Sequence, residues 1–346
     1  MKSKIEAAKT LIMPITGGIG RNIFATAVIR NLKKAYPTKK IYVIAGFPEI
    51  FQGNPHCRPF GFNNCNHLFE DVIFNNPESL LLEVEPYRHP EYVSGNLHIV
   101  KAWCDLLGVE CESIIPELYL TSTEKNMAEA YIEELKVKYK KPIIIMQHSG
   151  GKMPEFNSKQ ENLSNLAVMH RRSLHEKTTQ EIVDKLSKDG YMVLSIQSKK
   201  QFTPNGAEIV ETNIRKLAAL APHASGVIAI DSFFMHACAA LNVPALVAWM
   251  GTSPDRLGYE MHTNLRRLKS CVTPECHRPN SYAFDYQPNG AIWDCPYSDA
   301  CRDYTATEIV EAYKAMKGEE YINAVKNFKI EEKPQVIDTC KTNSCK

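Results

Sequence analysis

The sequence predicts an α/β protein of two doubly wound domains, each a parallel sheet with helices on both faces. Three observations carry this reading. Apolar runs of strand length alternate with stretches of helical period, a glycine turn joins the first strand to the first helix, and a second strand-helix series restarts at Pro142. Length agrees, since 346 residues exceed what one hydrophobic core usually organises and suit two domains of roughly 150 residues.

In TLIMPITGGIGRNIFATAVIRNLKKAYP a short apolar run ends in Gly17, Gly18 and Gly20, and Ile23, Ala27, Leu32 and Ala35 then recur at helical spacing until Pro37. KIYVIAG from Lys40 is the next strand, and LFEDVIFNN from Leu68 is expected to be another. Between them, GNPHCRPFGFNNCNH reads as loop. A polar helix, EKNMAEAYIEELKVKYKK, leads to PIIIMQHSGG, and YMVLSIQ, SGVIAID and PALVAWMG follow as apolar strands. The expected division is residues 1–140, then 141–318 with a cysteine-rich loop at 271–301, then a helix and tail at 319–346, with a helix around Tyr304 to Lys317 closing the second domain.

Composition excludes several classes. A formal net charge of +2 from 41 basic and 39 acidic residues gives no field that by itself implies nucleic acid. No apolar run approaches the roughly 20 residues a bilayer requires, and MKSKIEAAKTLIMP lacks the apolar core of a signal peptide. Eleven cysteines, an odd number, suit a reducing compartment, so a cytoplasmic protein is expected.

Open parallel sheets bind ligands at the carboxyl ends of their strands, where turns feed helix N-termini. The strongest such signal is SGVIAIDSFFMHACAALNVPALVAWMGTSPDRLGY. Here one strand ends at Asp231 and Ser232, and the next ends at Gly251 before Thr252 and Ser253. The two ends present hydroxyls and free N–H groups to one crevice, and a helix N-terminus there favours an anion by roughly 0.3–1 kcal/mol. Either Asp231 or Ser232 would also serve as an ordinary N-cap. His148, in QHSGG, stands at another strand end; Arg171 and Arg172 in HRRSL, and Lys199 and Lys200 after YMVLSIQ, are the basic pairs available to a phosphate.

Asp231, Ser232, Met235, His236, Ala239, Ala240, Leu241, Val243, Pro244, Gly251, Thr252 and Pro254 together resemble the donor-site pattern of the heptosyltransferase-like glycosyltransferases, glycosyltransferase family nine. GGIGRNIFATAVIRNLKKAYP resembles that family's first strand-turn-helix, and the grouping of Cys271, Cys276, Cys295 and Cys301 recurs in relatives. The resemblance implies the GT-B architecture: two Rossmann-like domains facing a central cleft, with the acceptor on the N-terminal domain and a nucleotide-diphosphate sugar on the C-terminal one. It implies an inverting transfer with no required cofactor to a lipopolysaccharide-type glycan, while the basic pairs and Arg21 would also suit another polyanion, a phosphorylated saccharide or a nucleic-acid base. It also implies donor contacts at Asp231, Ser232, Phe233, His236, Gly251, Thr252, Ser253, Arg171 and Arg172, and an acceptor or phosphate-side turn at Gly17, Gly18, Gly20 and Arg21. The strand-end position of His148 suits a contact to donor or acceptor, and His236 is alternatively packed against the neighbours of its helix.

Two departures stand out. Phe233 and Phe234 replace the glycine that usually follows Asp-Ser, which keeps a phosphate further from the backbone. Arg21 stands where many members carry the aspartate proposed as catalytic base, and an arginine stays protonated and cannot accept the acceptor's proton. The catalytic residue is therefore open, with Glu49, His56, Asp71 and His98 as N-terminal candidates. The missing aspartate also motivates an alternative, a sugar-nucleotide-binding protein without transfer activity. The four cysteines have four, eighteen and five intervening residues, near a zinc ribbon without its close pairs, so structural zinc, disulfides and ordinary thiols all stay open. GGIGRN lacks the full dinucleotide fingerprint, which disfavours an oxidoreductase.

Overall fold

A computed structural model describes residues 1–62, 69–150, 172–198, 201–266 and 300–329. The chain opens with α1 (Lys2–Ala7), β1 (Thr10–Ile15), α2 (Ile19–Ala35), β2 (Lys40–Ala45), a 3₁₀ turn (Pro48–Phe51) and β3 (Arg58–Gly61). A π-helical turn (Phe69–Phe74), β4 (Ser79–Leu81), a second 3₁₀ turn (Pro86–Arg88), α3 (Pro90–Ser94) and α4 (Ile99–Leu107) complete the first series. After α5 (Ser122–Tyr139) come β5 (Ile143–Met146), α6 (Glu176–Lys188), β6 (Met192–Ile196), β7 (Glu208–Val210), α7 (Ile214–Leu220) and β8 (Gly226–Ile230). The series ends with α8 (Phe233–Ala240), β9 (Leu246–Trp249), α9 (Pro254–Leu257), β10 (Thr263–Arg266), α10 (Ala306–Lys317) and α11 (Glu319–Lys326).

The strands form two parallel sheets, ordered β3-β2-β1-β4 and β10-β9-β8-β5-β6-β7. The innermost strands of the larger sheet, β5 and β8, are apolar throughout because both of their faces are covered. IIIM of β5 and GVIAI of β8 are buried at every position. Each sheet has a point where the chain's connections diverge, between β1 and β4 in the first and between β5 and β8 in the second. These are the two strand-helix series, each with its own parallel sheet, expected from the sequence.

Helix α5 starts at a reciprocal capping box between Thr121 and Glu124 and buries Ala128, Ile132 and Leu135, a stripe at helical spacing. It packs on α7 of the second series. The main apolar cluster runs without a break from β1 and α2 through Phe24 and Trp103 to Phe234, Met235 and Val247 beyond α8. A second cluster fills the opposite face of the larger sheet under α6 and α10.

Two sequence expectations are corrected here. Residues 69–74 coil as a π-helical turn and do not form a strand. A strand would put Val72 and Phe74 on one face, yet Val72 is buried against Ile12 and Ile44 while Phe74 is exposed. The segment expected to be loop contains β3, an edge strand paired with β2, where Pro59 is tolerated because one side of the strand needs no ladder bond. Among the described residues, no helix is long and apolar enough to cross a membrane.

Candidate functional site

The carboxyl edges of the two sheets border one cleft of about 900 Å³. Its second-domain wall is built strand by strand: Gln147 and Ser149 follow β5, Gln197 and Ser198 follow β6, and Glu211 and Thr212 follow β7. Asp231 and Ser232 follow β8, and Thr252 follows β9. After β5, β6 and β8 a buried strand ends and the next side chains are polar. The first-domain wall comes from the turn after β1 (Gly17 to Arg21), Phe47 after β2, and Tyr87 and Tyr92 after β4.

Asp231 is the most enclosed charge of the site, 2% exposed. Among the described residues neither carboxylate oxygen has a hydrogen-bond partner. Arg172 holds the main chain there, its Nε and Nη2 donating to the Asp231 carbonyl at 2.9 and 2.5 Å, with Nε 3.5 Å from Oδ2. Gln147 Oε1, Ser198 Oγ and Thr252 Oγ1 are likewise buried without partners among the described residues. A buried polar atom left unpaired costs about 1–3 kcal/mol. Four such side chains on one cleft wall make a surface suited to a polar ligand.

The N-cap of α8 is Ser232, extended at φ −155° and ψ 178°, and its hydroxyl makes no capping bond. Asp231 is one residue too early to cap, so the first N–H groups of α8 have no side-chain cap and point an unsatisfied partial positive charge toward the cleft. Of the two phenylalanines that follow, Phe233 lines the cleft and Phe234 is wholly buried in the core.

His236 lines the cleft at 3% exposure. Its Nδ1 meets the Tyr259 hydroxyl at 2.7 Å and its ring lies 5.6 Å from that of Phe24, so it forms part of the seam between α8 and α2. Burial pushes its pKa well below the usual value, which keeps the ring neutral. His148 is buried behind the wall, with Nε2 3.3 Å from Gln197 Oε1 and Nδ1 2.9 Å from Ser149 Oγ. Burial lowers it to about 4, and it orients two residues that line the cleft. Gly251 and Ser253 stand off the wall; Ser253 caps α9, accepting from the Asp255 N–H at 3.2 Å.

On the first-domain side, Gly17 adopts φ +86°, a left-handed conformation that favours glycine. Arg21, in the first turn of α2, donates from Nη1 to Glu85 at 3.0 and 3.3 Å. Its guanidinium lies 5.3 Å from the Tyr87 ring centroid and 5.2 Å from that of Trp103, and its buried Nε has no partner. Burial pushes the Tyr87 phenol up to about 12, with Arg21 and Arg172 opposing and Asp231 and Glu85 reinforcing the shift. The Tyr87 ring is thus where charges of both domains meet.

The remaining base candidates lie elsewhere. His56 stands 3.5 Å from Glu117, His98 is a buried N-cap of α4 lowered to about 4, and the Glu49 carbonyl accepts from Arg215. Arg171, Lys199, Lys200, Cys271, Cys276, Cys295 and the Asp71 side chain lie outside the described residues, and Cys301 sits half-buried in a 3₁₀ turn (Ala300–Arg302). Among the described residues no three His, Cys, Asp or Glu side chains converge as a metal site. Sequence reasoning missed Gln147, Ser149, Gln197, Ser198, Glu211 and Thr212. Gln147 and Gln197 were readable as the first polar residues after apolar runs. It also missed Glu85, Tyr87 and Tyr92, which follow a strand too short to leave such a signal.

No family model matches the sequence, and no curated protein does. Solved structures match in fold. A family 9 glycosyl transferase from Veillonella parvula is 12% identical, with 90% of this chain and 97% of that one covered at a TM-score of 0.61. The iron-containing dodecameric glycosyltransferase TibC from enterotoxigenic E. coli is 11% identical, with 90% and 77% covered at 0.61. ADP-heptose lps heptosyltransferase II of E. coli is 13% identical, with 90% and 99% covered at 0.50. The chain therefore has the GT-B fold of the family-nine glycosyltransferases, as the resemblance in its sequence implied.

Proposed function

We propose that the chain is a glycosyltransferase that moves a sugar from a nucleotide-diphosphate sugar to an acceptor hydroxyl, with inversion and without a required metal. The observation that carries this is the second-domain wall, where polar side chains end five neighbouring strands beside Arg172 and the uncapped N-terminus of α8. Breaking the bond to the anomeric carbon leaves negative charge on the departing diphosphate. Preorganised donors that face that charge lower the barrier more than they stabilise the bound substrate. Arg172, the α8 amides and Thr252 supply such donors. Asp231 is placed to accept from sugar hydroxyls, and Glu211 and Gln197 are polar groups for the rest of the nucleotide sugar.

In this reading residues 141–318 hold the donor and residues 1–140 receive the acceptor, which is a saccharide, a lipopolysaccharide-type glycan or a nucleic-acid base, and the reaction takes place in the cytoplasm. The fold's likeness to heptosyltransferases supports the reaction class. Incubating the protein with ADP-, GDP-, UDP- and CDP-sugars and measuring released nucleoside diphosphate tests it. Release from one of them supports transfer. Binding without release, with glycan and oligonucleotide acceptors also supplied, supports a sugar-nucleotide-binding protein instead.

A further inference from the structure

If the chain transfers a sugar, on which this inference rests, the attacking hydroxyl must lose a proton, and Arg21 cannot take it. We propose that Glu85 is the general base of the reaction and that Arg21 is its positioning residue.

The topology brings the two together. In the first sheet β1 and β4 are neighbours, but the chain leaves β1 through α2 toward β2 on the other side. The carboxyl ends of β1 and β4 therefore part at a crevice, where open parallel sheets receive ligands. Arg21 enters from the β1 side and Glu85 from the β4 side, and their ion pair at 3.0 Å spans it.

Bonding leaves Glu85 able to accept. Oε1 takes the Tyr87 N–H at 3.2 Å and Arg21 Nη1 at 3.3 Å, which occupies both of its lone pairs. Oε2 takes only Arg21 at 3.0 Å, so one lone pair remains. The Glu85 side chain is 39% exposed against 10% for Arg21, so a hydroxyl can reach the carboxylate while the guanidinium is held by Glu85 and by the rings of Tyr87 and Trp103. Among the described residues the acidic side chains that line the cleft, Asp231 and Glu211, follow strands of the second sheet, on the donor side, whereas Glu85 stands at the first-domain margin of the cleft, bonded to its lining residues Arg21 and Tyr87. His56 and His98 are engaged away from the cleft.

The step balances. The acceptor oxygen forms a bond to the anomeric carbon as the bond from that carbon to the diphosphate oxygen breaks. The nucleoside diphosphate leaves with the electron pair, and the hydroxyl proton passes to Glu85 Oε2. Water in the acceptor's place gives donor hydrolysis by the same path.

The test uses full-length protein with whichever nucleotide sugar the wild type turns over, in Glu85→Gln and Glu85→Asp. Glu85→Gln is expected to lower kcat by about 10²–10⁴-fold, to abolish the acid limb of the kcat profile against pH, and to keep the nucleoside diphosphate Kd within about twofold. Glu85→Asp is expected to restore part of kcat. Wild-type kcat in Glu85→Gln overturns the proposal, as does a loss of kcat accompanied by equal losses of diphosphate affinity and melting temperature. A wild type that turns over no nucleotide sugar overturns the transferase reading itself, and this proposal with it.

Discussion

Gly20 in the first turn of α2 approaches His236 of α8 so closely that a Cβ at position 20 would lie 3.0 Å from the imidazole Cδ2. The ring cannot easily yield, because its Nδ1 is bonded to the Tyr259 hydroxyl and Phe24 packs against it. Read from sequence, Gly20 belonged to a ligand turn; in the fold it also lets the two domains meet. Gly20→Ala is expected to lower stability by about 1–3 kcal/mol, the usual cost of overpacking. Gly18→Ala meets open space and should cost less. Chemical denaturation of the two variants checks the order, and equal midpoints would remove the steric argument.

Acid should weaken the fold through its buried histidines. His98 and His148 are lowered to about 4, and His236 and His262 are lowered as well, burial being the leading cause in each. His262 shows why the neutral form is required: Nδ1 accepts from the Ala245 N–H at 3.2 Å while Nε2 meets the Met235 carbonyl at 2.9 Å. Above pH 6.5 both folded and unfolded histidines are neutral. As pH falls from 6.5 toward 4 the unfolded chain binds protons first, so stability drops by up to about 1.4 kcal/mol per pH unit for each histidine. Denaturant midpoints at pH 7.5, 6.5 and 5.5 should fall in that order, and less steeply in His148→Gln. A flat profile would contradict the buried neutral state.

Arg215 of α7 binds three parts of the molecule at once. Its Nε and Nη2 donate to Glu124 at 2.6 and 2.7 Å, Nη2 to the Tyr119 carbonyl at 2.6 Å, and Nη1 to the Glu49 carbonyl at 3.1 Å. All three partners lie within residues 1–140, so the bonds tie α7 to the start of α5 and to the 3₁₀ turn after β2. The hydrogen bond from Arg215 leads in holding Glu124 down at about 2, so the stability it supplies is present above the ordinary 4.5 and lost as pH falls toward 2. Arg215→Ala removes these charge-assisted bonds while Glu124 keeps Thr121 as a partner and stays part-exposed, so it is expected to cost about 1–3 kcal/mol, with Arg215→Lys intermediate. Calorimetric unfolding at neutral pH checks this; an unchanged melting temperature for Arg215→Ala would refute it.

The central strands were legible in the sequence because burial on both faces makes them continuous apolar runs, as in IIIM and GVIAI. The edge strands β3, β4, β7 and β10 were not, because three or four residues paired on one side leave no apolar period. The second-domain wall of the cleft followed from strand ends for Asp231, Ser232 and Thr252, and Arg172, which also lines it, followed from the family resemblance. The roles of neighbouring residues were not readable, since only coordinates show that Ser253 caps a helix and His148 sits behind Gln197. The Arg21 and Glu85 pair joins residues 64 apart across two short elements, which no local pattern reports.

We propose that the second-domain wall binds a nucleoside diphosphate. Arg172 fixes the Asp231 main chain and lines the cleft with 26% of its side chain exposed, so it can reach an anion without leaving its anchor. Calorimetric titration of ADP, GDP, UDP and CDP into wild-type protein and Arg172→Gln tests this directly. One diphosphate is expected to bind wild type at one site per chain, and Arg172→Gln is expected to weaken it at least about tenfold, the effect of roughly 1.4 kcal/mol, with the melting temperature retained. Absence of binding by all four, or equal affinity in the variant, would contradict the account.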